Sequence, residues 1–317
     1  MTWTINPEFR AFLERDDLYS KVRPAKLPVG DIEGRRRRAA LRLGFVTDPA
    51  RTPEVVTRDY PIPTPDGHKL RARLYLPLDW TPGPLGLFLH GGGWFVGTLD
   101  QVDASIADYV ARSGVALLAP EYRLAPEHPH PTPLEDAYST LTWVFEHLDE
   151  LDADPRRIFV MGDSAGGGMA AGLTLLSRDR GGPSLAAQIL IAPMLDDRTV
   201  LSDPLLDEHV TWTYNDNITA WQALLGDQAA ADEPASVYAT PVRADDLSGL
   251  PDTFIDTSTL DIFRDEDIAF ASRLLQAGVQ TELHVYPGVP HRWDRIAPEI
   301  EISRQAVLAR IRAMHAI

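Results

Sequence analysis

The chain has 317 residues, 44% of them hydrophobic, and a formal charge of −16 from 46 acidic and 30 basic side chains. The length suits one large α/β domain with insertions or two small domains, and the composition excludes wholesale disorder. A surface this acidic argues against nucleic acid as a partner, and the lack of cysteine excludes disulfides, thiol nucleophiles and thiolate metal sites.

The opening "MTWTINPEFRAFLERDD" is polar and acidic and lacks a signal-peptide pattern. No apolar run approaches the length that spans a bilayer, so a cytoplasmic protein with no stable membrane insertion is expected. Residues 1–50 read as helical and precede the first strand. Within them, the basic run Arg35 to Arg38 in "EGRRRRAALRLG" reads as the solvated face of a short helix that also carries Leu41 and Leu43.

From about residue 54 an alternation begins. "EVVTRDYPIP" and "LRARLYLP" are strand-like and flank "TPDGHK", whose Asp66-Gly67 signals a hairpin turn. Short apolar runs of the buried-strand kind follow: "LGLFLH", "VALLAP", "RIFVMG", "AAQILIAP", "DTFIDTS" and "ELHVYP". Helical patterns separate most of them: "VDASIADYVARSG", "PLEDAYSTLTWVFEHLDEL", "GGMAAGLTLLSRD" and "EDIAFASRLLQAG". A last helix, "EIEISRQAVLARIRAMHA", closes the chain. The pattern predicts an α/β fold, a mostly parallel sheet of eight strands with helices on both faces and an antiparallel hairpin at its start. In such sheets the chemistry sits beyond the carboxyl ends of the strands. Residues 197–228 interrupt the alternation. Together with residues 1–50 they read as a helical cap on a catalytic domain of residues 51–317.

"RIFVMGDSAGGGMAAG" places Gly162-x-Ser164-x-Gly166 between an apolar strand and a helical run. The pentapeptide alone is a weak signal, but strand, sharp turn and helix together are what a nucleophile elbow requires. The competing reading is a glycine-rich helix cap with an incidental serine. Ser164 stands where dehalogenases and epoxide hydrolases need Asp, and Asp163, one residue earlier, is expected to point away and make a structural hydrogen bond.

A serine hydroxyl needs a base to take its proton. Position eliminates most histidines: His68 lies in the hairpin, His147 in a helix, His284 in a strand, His315 at the terminus, and His128 and His130 in a Pro-rich loop far upstream. His291, between the last strand and the last helix, lies where the base belongs in the order Ser, acid, His. For the acid, "DTFIDTSTLDIFRDED" offers four residues. Asp256 lies too low in the strand, Asp261 stands at its carboxyl end, and Asp265 and Asp267 open the next helix. Asp261 is the first choice and Asp265 the reserve.

These pieces resemble the bacterial hormone-sensitive-lipase-like family of α/β-hydrolase carboxylesterases, over roughly Val55 to His291. "HGGGW" at His90 to Trp94 is similar to the family's oxyanion loop, "GDSAGG" at Gly162 to Gly167 to its elbow, "YRLAPEHPHPTPLED" to its Pro-rich segment, and "LDIFRDED" to its acid-bearing loop. Ile262 stands where the family usually has Pro, and "PHRWD" replaces the usual H-G-F after the base. The resemblance implies that Gly92, Gly93 and Ala165 donate backbone N–H groups to an oxyanion, that Gly91 helps the loop turn, and that His90 anchors it. It also implies a cap, short-to-medium acyl esters as substrates, no metal and no organic cofactor, and a homodimer by analogy alone. Trp94, Phe95, Trp212, Tyr214 and Trp293 are candidate pocket walls, with plain core packing the competing reading for each. An amidase or deacetylase on the same machinery is an alternative. So is a non-catalytic ligand-binding module, which the presence of a base at His291 disfavours.

Overall fold

The structure is a computed structural model, and residues 3–15, 26–43, 54–233 and 236–317 are described. Eight strands form one sheet: β1 (Val55–Pro63), β2 (Lys69–Pro77), β3 (Gly83–Leu89), β4 (Ala116–Pro120), β5 (Ala153–Asp163), β6 (Ala187–Ile191), β7 (Asp252–Leu260) and β8 (Thr281–Pro290). Their order is β1-β2-β4-β3-β5-β6-β7-β8. β1 and β2 form the antiparallel hairpin, β2 also pairs antiparallel with β4, and every later pairing is parallel.

Eleven helices are described: α1 (Pro7–Glu14), α2 (Ile32–Leu43), α3 (Leu99–Ser113), α4 (Thr132–Glu146), α5 (Leu148–Leu151), α6 (Ala165–Asp179), α7 (Pro204–Asp207), α8 (Tyr214–Leu225), α9 (Arg264–Gln276), α10 (Trp293–Ile296) and α11 (Glu301–His315). Side chains alternate across the central strands and build two cores. Ile158 and Val160 of β5 join Leu87 and Leu118 on the face covered by α4, α6 and α9. Phe159 and Met161 join Phe88 and Leu117 on the face covered by α3 and the end of α11. Both faces are buried, which is why the central strands read as unbroken apolar runs. A third cluster packs Phe9 and Leu13 of α1 against Tyr286, Trp293 and Ile302. Among the described residues no helix is long and apolar enough to cross a membrane.

Two sequence expectations change. The "PLEDAYSTLTWVFEHLDEL" helix breaks at His147, whose Nδ1 sits 2.8 Å from the carbonyl of Trp143 and whose φ of −124° leaves the helical region. The arginine run is no solvated face. Arg35 is buried, with Nε donating to Asp216 of α8 at 2.7 Å, and Arg38 reaches the same carboxylate at 2.9 Å. Arg36 donates to the carbonyls of Phe95 and Ala125 and pairs with Glu127, leaving Arg37 as the exposed member. A charge run reports solvation only while no distant acid meets it, and Asp216 lies far along the chain. The side chains of Leu41 and Leu43, and the boundary at residues 50–51, lie outside what is described.

Candidate active site

Three loops at the carboxyl ends of β5, β7 and β8 meet above the sheet. Ser164 follows β5 directly and precedes the first turn of α6, with φ 55° and ψ −121°. That strained turn is fixed on both sides. Ser164 N donates to Ile191 O at 2.8 Å, and Ser164 O accepts from the amides of Gly168 and Met194, each at 3.0 Å. It also brings the chain onto itself, since a Cβ on Gly162 would lie 2.2 Å from the carbonyl oxygen of Gly166. Only glycine fits there.

Asp261 follows the last residue of β7 and His291 the last residue of β8, and the two strands are in register at Leu260 and Pro290. The acid and the imidazole therefore come off the sheet side by side. His291 Nδ1 lies 2.6 Å from Asp261 Oδ2, and His291 Nε2 lies 3.0 Å from Ser164 Oγ. The other oxygen of Asp261 accepts from Phe263 N at 3.1 Å, and the Phe263 ring meets the imidazole edge-on at 5.1 Å. Thr211, in the insertion before α8, donates to the carbonyl of His291 at 2.7 Å. All three side chains are buried. Asp265, the reserve acid, instead pairs with Arg264 at the surface.

The loop after β3 passes beside this array. A Cβ on Gly91 would lie 3.1 Å from Ser164 Cβ, so its backbone runs against the serine. Gly92 has φ 128°, and its carbonyl accepts from the amides of Phe95 and Val96. A Cβ there would sit 2.0 Å from Val96 O, a backbone atom that cannot swing away. His90 stacks on Tyr122 at 4.4 Å, and its Nδ1 lies 2.8 Å from Gly91 O. A carbonyl can only accept, so the proton of the neutral ring resides on Nδ1. Burial pushes the His90 pKa down, which favours that neutral form. Asp163 makes the expected structural hydrogen bond, accepting from Gly91 N at 3.1 Å. Burial alone would raise the Asp163 pKa, but the nearby Arg295 and Arg292 cations and the Gly91 amide outweigh it and hold the carboxyl below its usual range.

A model of the α/β-hydrolase fold family matches residues 86–295, the span that contains all of these loops. The chain belongs to the α/β-hydrolase family, in its hormone-sensitive-lipase-like branch. Carboxylesterase NlhH of Mycobacterium tuberculosis is 36% identical over 74% of this hydrolase and 75% of its own length. Ethyl acetate hydrolase of Pseudomonas putida is 30% identical over 98% of both chains. Among solved structures, a bacterial heroin esterase superposes with a TM-score of 0.88 at 35% identity, covering 98% of this chain and 97% of its own.

The candidate pocket walls of the hydrolase divide. Trp212 stacks on Phe95 at 6.2 Å, and its ring tip lies 2.8 Å from where a Cβ on Gly93 would stand, so both aromatic rings border the glycine loop. Trp94 packs on Trp221 at 4.6 Å, and Tyr214 opens α8. Trp293 takes the competing reading: it lies 5.1 Å from Tyr286 in the cluster with Phe9 and Leu13, a core residue under α1. Sequence reasoning also missed Thr211, which reaches the His291 carbonyl from the insertion, and two near neighbours in sequence: Phe263, whose amide and ring meet Asp261 and His291, and Arg292, which pairs with Asp163. The departure "PHRWD" was the one sequence signal near Arg292.

Proposed function

We propose that this hydrolase is a serine carboxylesterase acting on short-to-medium acyl esters through an acyl-enzyme. The observation that carries the reading is the unbroken chain of contacts from Ser164 Oγ through His291 to Asp261, at 3.0 and 2.6 Å. His291 Nε2 takes the serine proton as Oγ attacks the ester carbonyl. Asp261 holds Nδ1–H in place and stabilises the imidazolium that forms. The proton then passes to the leaving alcohol, and water, deprotonated by the same imidazole, attacks the acyl-enzyme and frees Ser164. The amides of Gly92, Gly93 and Ala165 donate to the oxyanion. Two facts support that part: the loop backbone runs against Ser164, and Ala165 is the first residue of α6, where N–H groups and positive partial charge face outward.

Residues 1–50 and 197–228 act as the cap over this site. The grip of Arg35 and Arg38 on Asp216 supports a single unit, and the bond from Arg36 to Phe95 O fastens it to the glycine loop. Trp94, Phe95, Trp212 and Tyr214 are proposed to bound the ester. The relatives named for ethyl acetate and heroin support a small ester as the substrate class.

The test is hydrolysis of p-nitrophenyl esters of increasing acyl length by the wild type and three variants. Ser164→Ala and His291→Ala are expected to abolish turnover above background, and Asp261→Asn to lower kcat by roughly 10⁴-fold, as loss of the orienting acid does in serine proteases. Activity surviving in Ser164→Ala overturns the nucleophile, and full activity in Asp261→Asn transfers the acid's role to another residue.

A further inference from the structure

Asp163 precedes the nucleophile and Arg292 follows the base, so each is placed by a triad neighbour. Arg292 sits at φ 53° and ψ 38°, a left-handed conformation that costs an arginine more than a glycine. The residue is nonetheless drawn into the interior, its side chain only 11% exposed. Arg292 Nη1 lies 3.1 Å from Asp163 Oδ2 as an ion pair, and Nη2 donates to Asp294 Oδ2 at 3.2 Å. The chain of charges continues inward. Arg310 Nη1 donates to the same Asp294 oxygen at 2.5 Å, and Arg310 Nε donates to Asp256 at 2.5 Å. Arg295 approaches Asp163 from the other side at 3.7 Å. At its outer end, Asp163 accepts the amide of Gly91.

We propose that Arg292 is a positioning residue: it holds ionised Asp163 in the one orientation that fixes the Gly91 amide, and so sets the aim of the next two amides of the glycine loop. This rests on the esterase reading for its catalytic consequence. The physical reason is the environment of Asp163. Without Arg292, the remaining cation beside the carboxylate is Arg295 at 3.7 Å; Asp163 is then free to turn toward it or toward water, and turning releases the amide it was holding. A buried guanidinium that pairs on one edge with Asp163 and on the other with Asp294 cannot turn without breaking both contacts. Arg310 and Asp256 brace Asp294 from α11 and β7, so the strut runs from the core of the sheet to the glycine loop. Because Arg292 is bonded in sequence to His291, the base and the oxyanion loop share one support.

Three variants test it. Arg292→Gly suits the left-handed backbone and removes the guanidinium, Arg292→Met keeps the stem without charge, and Arg292→Lys restores a cation. The readouts are kcat and KM on p-nitrophenyl acetate, affinity for a trifluoromethyl ketone that mimics the tetrahedral intermediate, and hydrogen exchange in the peptide Phe88 to Gly97. Misaimed oxyanion donors lower kcat by at least about tenfold in the Gly and Met variants. KM is expected to stay nearly level, affinity for the ketone to fall by the factor lost in kcat/KM, exchange at Gly91 to quicken, and Lys to recover most of each loss. If one of the first two variants fails to fold, the other carries the comparison. Wild-type kcat in Arg292→Met overturns the proposal, as does a fall in kcat with ketone affinity and exchange unchanged. If the wild type itself proves inactive on esters, the esterase reading has failed. The exchange series then still decides whether Arg292 holds the loop.

Discussion

Gly92 shows how narrowly the backbone beside Ser164 is specified. Its φ of 128° is foreign to L-residues with a side chain, and a Cβ would meet the Val96 carbonyl at 2.0 Å. Gly92→Ala therefore has to move the loop, and the amides of residues 92 and 93 move with it. The expected outcome is a fall in kcat on the order of a hundredfold, the usual cost of an oxyanion donor, with a smaller loss of Tm. Steady-state kinetics and a melting curve on the same preparation check it; kcat within about threefold of wild type would detach this loop from the oxyanion. Residues of this kind were legible in the sequence because their constraint is local. A glycine run after an apolar strand, a serine in a strand-turn-helix setting and a histidine after the last strand each declare themselves within a few positions. Arg292 and Arg35 did not, because their meaning depends on Asp163 and Asp216, which only the fold brings near. Trp293 misled for a related reason: a tryptophan two residues from His291 says nothing about which side of the chain its ring takes.

At the scale of elements, α9 begins with three acids in succession, Asp265 to Asp267, and they meet three fates. Asp265 stays at the surface with Arg264. Glu266 turns inward and accepts from the amides of Leu195 and Asp196 and from Thr199, tying the acid-bearing loop to the segment after β6. Asp267 is fully buried. Burial first, and then the neighbouring charge of Glu266, push its pKa well above the usual carboxylate range, as burial does for Glu266 itself. An acid whose folded pKa is raised binds more protons folded than unfolded. Its contribution to stability is thus fully present below the unfolded pKa of about 3.9, and is lost as pH rises toward the folded value. Asp267→Asn removes that loss without changing the shape of the side chain. Its Tm is expected to match the wild type near pH 4 and to exceed it by a margin that widens toward pH 8. A melting series across that range checks the sign; a margin that does not vary with pH would mean that Asp267 is ionised in both states. The α/β alternation had already indicated where this helix starts, but residue-type counting treats three acids in a first turn alike. Only the contacts each makes in the folded chain separate them.

For the whole molecule, the alternation of apolar runs and helical patterns was enough to give the sheet, its hairpin and the loops that carry the chemistry, because burial on both faces leaves a strong imprint on sequence. Residues 197–228 were legible as an interruption of the alternation, while their tie to the arginine run through Asp216 was not. The net charge of −16 has a consequence at this scale too. A chain of this length has a radius of gyration of about 20 Å. The Debye length is about 30 Å at 0.01 M ionic strength and about 8 Å at 0.15 M. At low salt a substrate at the mouth of the site therefore feels the charge of most of the molecule; at physiological salt it feels only the groups nearby. A cationic acetyl ester such as acetylcholine, and its neutral isostere 3,3-dimethylbutyl acetate, present similar shapes and the same scissile bond. The ratio of their kcat/KM values cancels the chemistry and leaves the field. That ratio is expected to be higher at 0.01 M than at 0.15 M by up to about tenfold, with the neutral ester nearly indifferent to salt. A ratio that stays flat or rises with salt would show that the net charge of the molecule does not draw cationic esters to the site.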